Sequence, residues 1–164
     1  IRGDSSQAIT FNSGFLSSSI VFDTTGAMDP ISYEKSTSDM VKIKNNGKYS
    51  LRYDLQFKNT GSAPFAAPTG SLKAYFATSS AIVANPAPPF VLSSSLRSAP
   101  LIGVSGTISY GILSARTIID LKAGDELKLY TEREIVPHYS NATGTVGTQP
   151  GAALMIIDRI GESG

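Results

Sequence analysis

His138 is the only histidine in the chain, and ordinary acid–base or nucleophilic chemistry would have to run through it. Ser140 and Glu134 lie close by in sequence, so the three residue types of a Ser–His–acid triad are present. Closeness in sequence is not triad geometry, and no Gly-x-Ser-x-Gly nucleophile elbow accompanies them. The stretch VPHYSN (136–141) reads instead as a proline turn that shows its histidine to solvent. A single histidine cannot build a multi-histidine metal site. The chain has no cysteine, which removes thiolate nucleophiles, thiolate-ligated metals and disulfides. No catalytic residue, metal site or cofactor is expected.

The remaining polar motifs have plainer readings. Asp120 and Asp125 flank Lys122–Ala123–Gly124, and Glu126 follows, but the spacing of an EF-hand calcium loop is absent. Turn chemistry accounts for the cluster: Gly124 supplies a positive φ and Asp125 bonds its local backbone. Arg2–Gly3–Asp4 is the integrin tripeptide, but at a terminus it reads as a stalk junction or an accident of composition. Asn141–Ala142–Thr143 fits the N-glycosylation pattern, which matters only in a eukaryotic secretory pathway. No phosphate-binding or dinucleotide fingerprint occurs.

Composition narrows the classes further. The 164 residues fit one domain, with residues 1–6 as a flexible lead-in. The 14 basic and 13 acidic residues are interspersed, so no basic tract exists to track a phosphate backbone and nucleic acid is not an expected partner. The densest charge cluster, TEREI (131–135), is mixed in sign and reads as a solvated strand end. No apolar run is long enough to span a bilayer as a helix. The chain begins at Ile1 without a signal peptide or initiator Met, as expected of a processed product or an excised domain. Charged residues make up only 16%, so Ser and Thr supply much of the polar surface, a composition suited to β structure and common on extracellular or particle surfaces.

The elements that position these residues follow from periodicity. No amphipathic helix is evident, and Gly and Pro punctuate the chain at all-β intervals. The clearest strand is GKYSLRYDLQF (47–57), where Tyr49, Leu51, Tyr53, Leu55 and Phe57 alternate with polar residues after an Asn-Asn-Gly turn. Further strands are expected at 7–11, 18–23, 31–34, 39–44 (with Met40, Val41 and Ile43 inward), 71–79 (with Leu72, Ala74 and Phe76 on one face) and 125–134. TISYGILSARTIIDL (107–121) reads as one bent strand or two, with Gly111 as bulge or kink. Residues 80–104 form a long Pro/Ser-rich loop with a short edge strand near Phe90–Leu92, and 140–151 a flexible polar loop. The final strand, 152–160, carries consecutive apolar residues, Leu154 to Ile157. That pattern belongs to a strand buried on both faces. With no helix to cover it, the expected cover is another copy of the chain.

Three motifs in order carry a resemblance. GKYSLRYDLQF resembles the G-x-Y strand of the C1q and tumour-necrosis-factor-like jelly rolls. ARTIIDLKAGDELKLY (115–130) is similar to their later hairpin, and PGAALMIIDRI (150–160) to their last strand. The style is most similar to the C-terminal heads of bacterial collagen-like and exosporium (spore-surface) proteins. The resemblance covers about residues 7–160 and implies an antiparallel jelly-roll sandwich of about ten strands, assembled as a homotrimer behind a stalk. It implies a non-catalytic surface head that trimerises a filament and binds a receptor, glycan or neighbouring surface protein. Tyr49, Leu51, Tyr53, Leu55, Phe57, Leu154, Ile156 and Ile160 would line the core or the trimer axis. Residues 58–104 depart from the C1q pattern. The candidate ligand loops carry Pro86, Phe90, Glu134, His138, Tyr139 and Asn141, and Tyr33, Tyr110, Tyr130 and Tyr139 are candidate contact residues. The competing readings are a viral or phage fibre head, a jelly-roll capsid subunit, and a monomeric carbohydrate-binding sandwich.

Overall fold

The computed structural model describes residues 2–3, 8–9, 16–22, 25–26, 28–61, 70–78, 90–101, 108–135 and 144–162. Twelve strands run in chain order: β1 (Arg2–Gly3), β2 (Ala8–Ile9), β3 (Leu16–Ser19), β4 (Tyr33–Thr37), β5 (Met40–Ile43), β6 (Gly47–Gly61), β7 (Gly70–Thr78), β8 (Phe90–Val91), β9 (Arg97–Leu101), β10 (Ile108–Leu121), β11 (Glu126–Ile135) and β12 (Gly144–Gly161). They form two antiparallel sheets. One is ordered β1-β12-β6-β10, with β2 also on β12; the other is ordered β4-β5-β11-β7-β8, with β3 on β11 and β9 on β7. From β5 to β7 and again from β9 to β12 each successive strand lies in the other sheet, so the chain crosses the sandwich repeatedly, as in a jelly roll.

β6 organises the core. Its alternation places Tyr49, Leu51, Tyr53, Leu55 and Phe57 inside, all buried, against Leu72, Ala74 and Phe76 of β7 and Leu127 and Leu129 of β11. Each fully buried leucine contributes about 1.5–3 kcal/mol through the apolar surface it removes from water. Tyr53 reaches across the sandwich: its ring meets Phe76 edge-on at 5.3 Å. Its hydroxyl lies 2.9 Å from the Ala74 carbonyl and 2.8 Å from that of Ser95, sharing its proton between them. Burial pushes this phenol well above the ordinary tyrosine range.

Several expectations need correction. Gly111 is not a bulge, and 108–121 is one strand. β10 pairs with β6 in one unbroken register from Ile108↔Thr60 to Leu121↔Gly47, and Gly111 stands opposite Phe57. A Cβ there would lie 2.2 Å from Phe57 Cζ, so glycine makes room for the ring. Residues 144–151 are not loop but the first part of β12, of which Gly144 to Thr148 pair with Gly61 to Phe57 of β6. The ladder breaks between Thr148 and Ala153, across Pro150, which has no N–H to give. Part of the expected 80–104 loop is also ladder: Arg97–Leu101 pairs with Ala74–Gly70 of β7, with Pro100 tolerated on this outer strand. Arg2 and Gly3 pair with Leu154 and Ala153 rather than forming a free lead-in. In β5 the period of two sends Val41 and Ile43 inward and leaves Met40 half-buried.

Between β8 and β9 a 3-10 turn, Ser93–Ser95, interrupts the edge of the second sheet. The Ser95 hydroxyl fills the gap. It accepts the Phe76 N–H at 2.9 Å and donates to the Leu92 carbonyl at 2.6 Å.

Candidate functional site

The turn Lys122–Asp125 has the chemistry its sequence implies. Gly124 has φ 98°, Asp125 N–H donates to the Lys122 carbonyl, and Asp125 Oδ2 accepts the Lys122 N–H at 2.8 Å. The same end of the sandwich is tied to the turn before β6. Ala123 N–H donates to Asn46 Oδ1, Tyr49 Oη donates to the Asn45 carbonyl, and the Arg159 guanidinium donates to the Asn46 carbonyl at 2.9 Å. Tyr33 packs edge-on against Tyr49 and accepts the Arg159 N–H at 2.7 Å. Burial raises both phenols. These bonds are structural, and among the described residues no cluster of three His, Cys, Asp or Glu is placed to hold a metal.

The two outer faces of the sandwich differ in character. On the seven-stranded sheet the polar side chains meet each other. Lys128 Nζ lies 3.0 Å from Asp39 Oδ2, and Ser19 and Thr37 donate to the same carboxylate. Burial alone would raise the Asp39 pKa, but the bonds from Thr37, Ser19 and Lys128 outweigh it and hold the group at about 2. Beside them Tyr75 stacks on Tyr130 at 6.0 Å, with Tyr75 Oη donating to Glu132; burial first, and then that carboxylate, push the Tyr75 phenol up to about 12.

The outer face of the five-stranded sheet carries large apolar residues among its polar ones, where a solvated face would be polar throughout. The even-numbered residues of β10 share it with Leu154, Ile156 and Asp158 of β12. Ile118 is 56% exposed and Ile112 65% exposed on β10, while Leu154 and Ile156 of β12 are half-buried. The ladder register places Leu154 beside Asp54 and Ser114, Ile156 beside Arg52 and Arg116, and Asp158 beside Ser50 and Ile118. Between these columns lies an open depression of about 660 Å³, lined among others by Arg52, Arg97, Arg116, Ile156 and Asp158. Arg52 pairs with Asp54 at 2.7 Å. Arg116 makes a weaker contact, donating through Nε to Ser50 Oγ at 3.1 Å. This face is the candidate functional site, and its residue types suit association rather than catalysis.

The predicted site residues separate into groups. Tyr49, Leu51, Tyr53, Leu55 and Phe57 lie in the interior. Leu154 and Ile156 lie on the outer face, and Ile160 stands 49% exposed at the end of β12, outside the core. The last strand is thus not buried on both sides within one chain: Ala153 and Met155 point inward, and their neighbours are left partly uncovered. Phe90 falls in β8 and Glu134 in β11 opposite Ser71. Pro86, His138, Tyr139 and Asn141 lie outside the described residues. Sequence reasoning missed Ile112, Ile118 and Arg116. The signal was there: GILSARTIIDL has apolar residues at both parities, just as the last strand does.

With this geometry, the protein is an all-β, antiparallel, TNF-like jelly roll. Among solved structures, Eiger TNF from S. frugiperda superimposes with a TM-score of 0.55 at 11% sequence identity, over 100% of this chain and 96% of that one. No protein-family model and no curated protein matches the sequence.

Proposed function

We propose that this protein is a non-catalytic head of one domain. It trimerises through the outer face of the β1-β12-β6-β10 sheet and binds a receptor, glycan or neighbouring protein on the outside of a cell, spore or other particle. The observation that carries the reading is the presence of Ile112, Ile118, Leu154 and Ile156 on one outer sheet face, where alternation should leave water-facing polar residues. Covering such a face with a second copy removes apolar surface from water and needs no added helix. The TNF-like fold supports the assembly. The three sequence motifs support a stalked surface head of the collagen-like or exosporium kind, with its ligand loops at 86–90 and 134–141.

Light scattering on a sizing column tests it. A species near three times the 17.3 kDa chain mass is expected. Ile118→Asp combined with Ile112→Asp should release monomer, because two carboxylates would be buried without partners. A wild-type monomer at tens of micromolar would overturn the proposal.

A further inference from the structure

Resting on that association, we infer that the β10 half of one copy's face meets the β12 half of the next, with Arg116 of the first copy paired to Asp158 of the second. The argument begins from a conflict within one chain. Arg52 and Arg116 are direct cross-strand neighbours, and like charges so placed repel. Asp54 takes up Arg52 at 2.7 Å. The guanidinium of Arg116 meets only the neutral hydroxyl of Ser50. Two columns away, Asp158 lines the same depression, and among the described residues no ion pair reaches it or Arg116. β6 stands between them, about two strand spacings of ~4.8 Å.

In water neither group needs a partner. On a face closed by association each does, because a buried charge without an opposite charge is strongly destabilising. The halves of the face are complementary. On β10, Arg116 lies between exposed Ile112 and Ile118; on β12, Asp158 follows Leu154 and Ile156. Laying β10 on the next copy's β12 puts isoleucine on aliphatic surface and guanidinium on carboxylate. Laying β10 on β10 would put Arg116 on Arg116. The occupant is therefore a second copy of this chain, joined through unlike halves of the same face. An arginine also suits the role because its fork binds a carboxylate through two parallel bonds.

The test uses the whole chain with Arg116→Glu, Asp158→Lys and the double reversal. Dissociation is followed by light scattering across a dilution series, and circular dichroism confirms that each variant is folded. Each single reversal should raise the dissociation constant at least tenfold, and the double reversal should bring it back to within about threefold of wild type. Wild-type dissociation should also rise with ionic strength. Single reversals that leave assembly unchanged, or a double reversal no better than the worse single, would overturn the pairing while leaving the association itself standing. A monomeric wild type would overturn both.

Discussion

Removing the Ser95 hydroxyl should destabilise the fold far more than a surface serine would. Ser95 is fully buried and sits where the 3-10 turn takes the chain away from β7. The ladder would otherwise leave the Phe76 N–H without a partner; the hydroxyl accepts it at 2.9 Å and donates onward to the Leu92 carbonyl at 2.6 Å. In Ser95→Ala the amide is orphaned in the interior, where both Ser95 and Phe76 are fully buried. An unsatisfied buried donor costs about 1–3 kcal/mol, and the lost bond to Leu92 adds about 1 kcal/mol. The total, about 2–4 kcal/mol, is a large part of a typical domain's stability. Urea denaturation at one fixed protein concentration measures it, the concentration held because the proposed association would contribute to apparent stability. The midpoint should fall with an unchanged slope. Tyr53→Phe, which removes the phenol that bridges the Ser95 and Ala74 carbonyls, should cost about 1–2 kcal/mol and be non-additive with Ser95→Ala, since both brace the same turn. A loss below about 0.5 kcal/mol in Ser95→Ala would refute the claim that the hydroxyl closes the ladder.

Further outcomes follow from other contacts. Gly111→Ala should cost about 1–3 kcal/mol by forcing the Phe57 ring out of place, and pairing it with Phe57→Leu should recover part of the loss; thermal melts of both variants read this. Gly124→Ala should lose about 1 kcal/mol from its positive φ alone, since open space surrounds the position, whereas Gly124→Asn should be milder. Asp39 has a folded pKa of about 2, below its ordinary 3.8. Its contribution is therefore complete above about pH 4 and is lost as the pH falls toward 2. Partial exposure limits it to about 1 kcal/mol or less. The stability difference between wild type and Asp39→Asn should shrink over that interval; a difference independent of pH would show that the carboxylate's bonds do not act through its charge.

Much of the fold was legible where one face is buried and the other wet. β6 declares itself because every odd residue from Tyr49 to Phe57 is apolar, and β7 because Leu72, Ala74 and Phe76 share a parity. Gly144–Gly151 was illegible because threonine and glycine carry no parity signal; its pairing is imposed by β6, which extends to Gly61. Gly111 misled because a glycine in a strand can mark a bend or a close neighbour, and only the register with Phe57 decides between them. The face proposed for association was half legible. The last strand showed apolar residues at both parities and was read so. In β10 the same signal at Ile112 and Ile118 was interrupted by Ser114 and Arg116, and passed for an ordinary bent strand. The charge pattern on that face depends on which strands are neighbours, which no single strand's sequence reveals.

The unbroken register of β10 bears on how a single copy of the protein behaves in solution. Among the described residues β10 has a ladder partner on one side only, β6. Its other margin offers a fourteen-residue row of strand backbone without proline or bulge, beside exposed isoleucines. Such a margin is a template on which another chain can continue the sheet, and polymers begin that way. The second sheet guards its own margin with the 3-10 turn and Pro100; β10 has only the charges of Arg116 and Asp120. If the chain assembles as proposed, a newly made or dissociated copy is then the species most exposed to aggregation. Variants that weaken association should lower soluble yield as well as mass, most of all at high expression and at salt concentrations that screen those two charges.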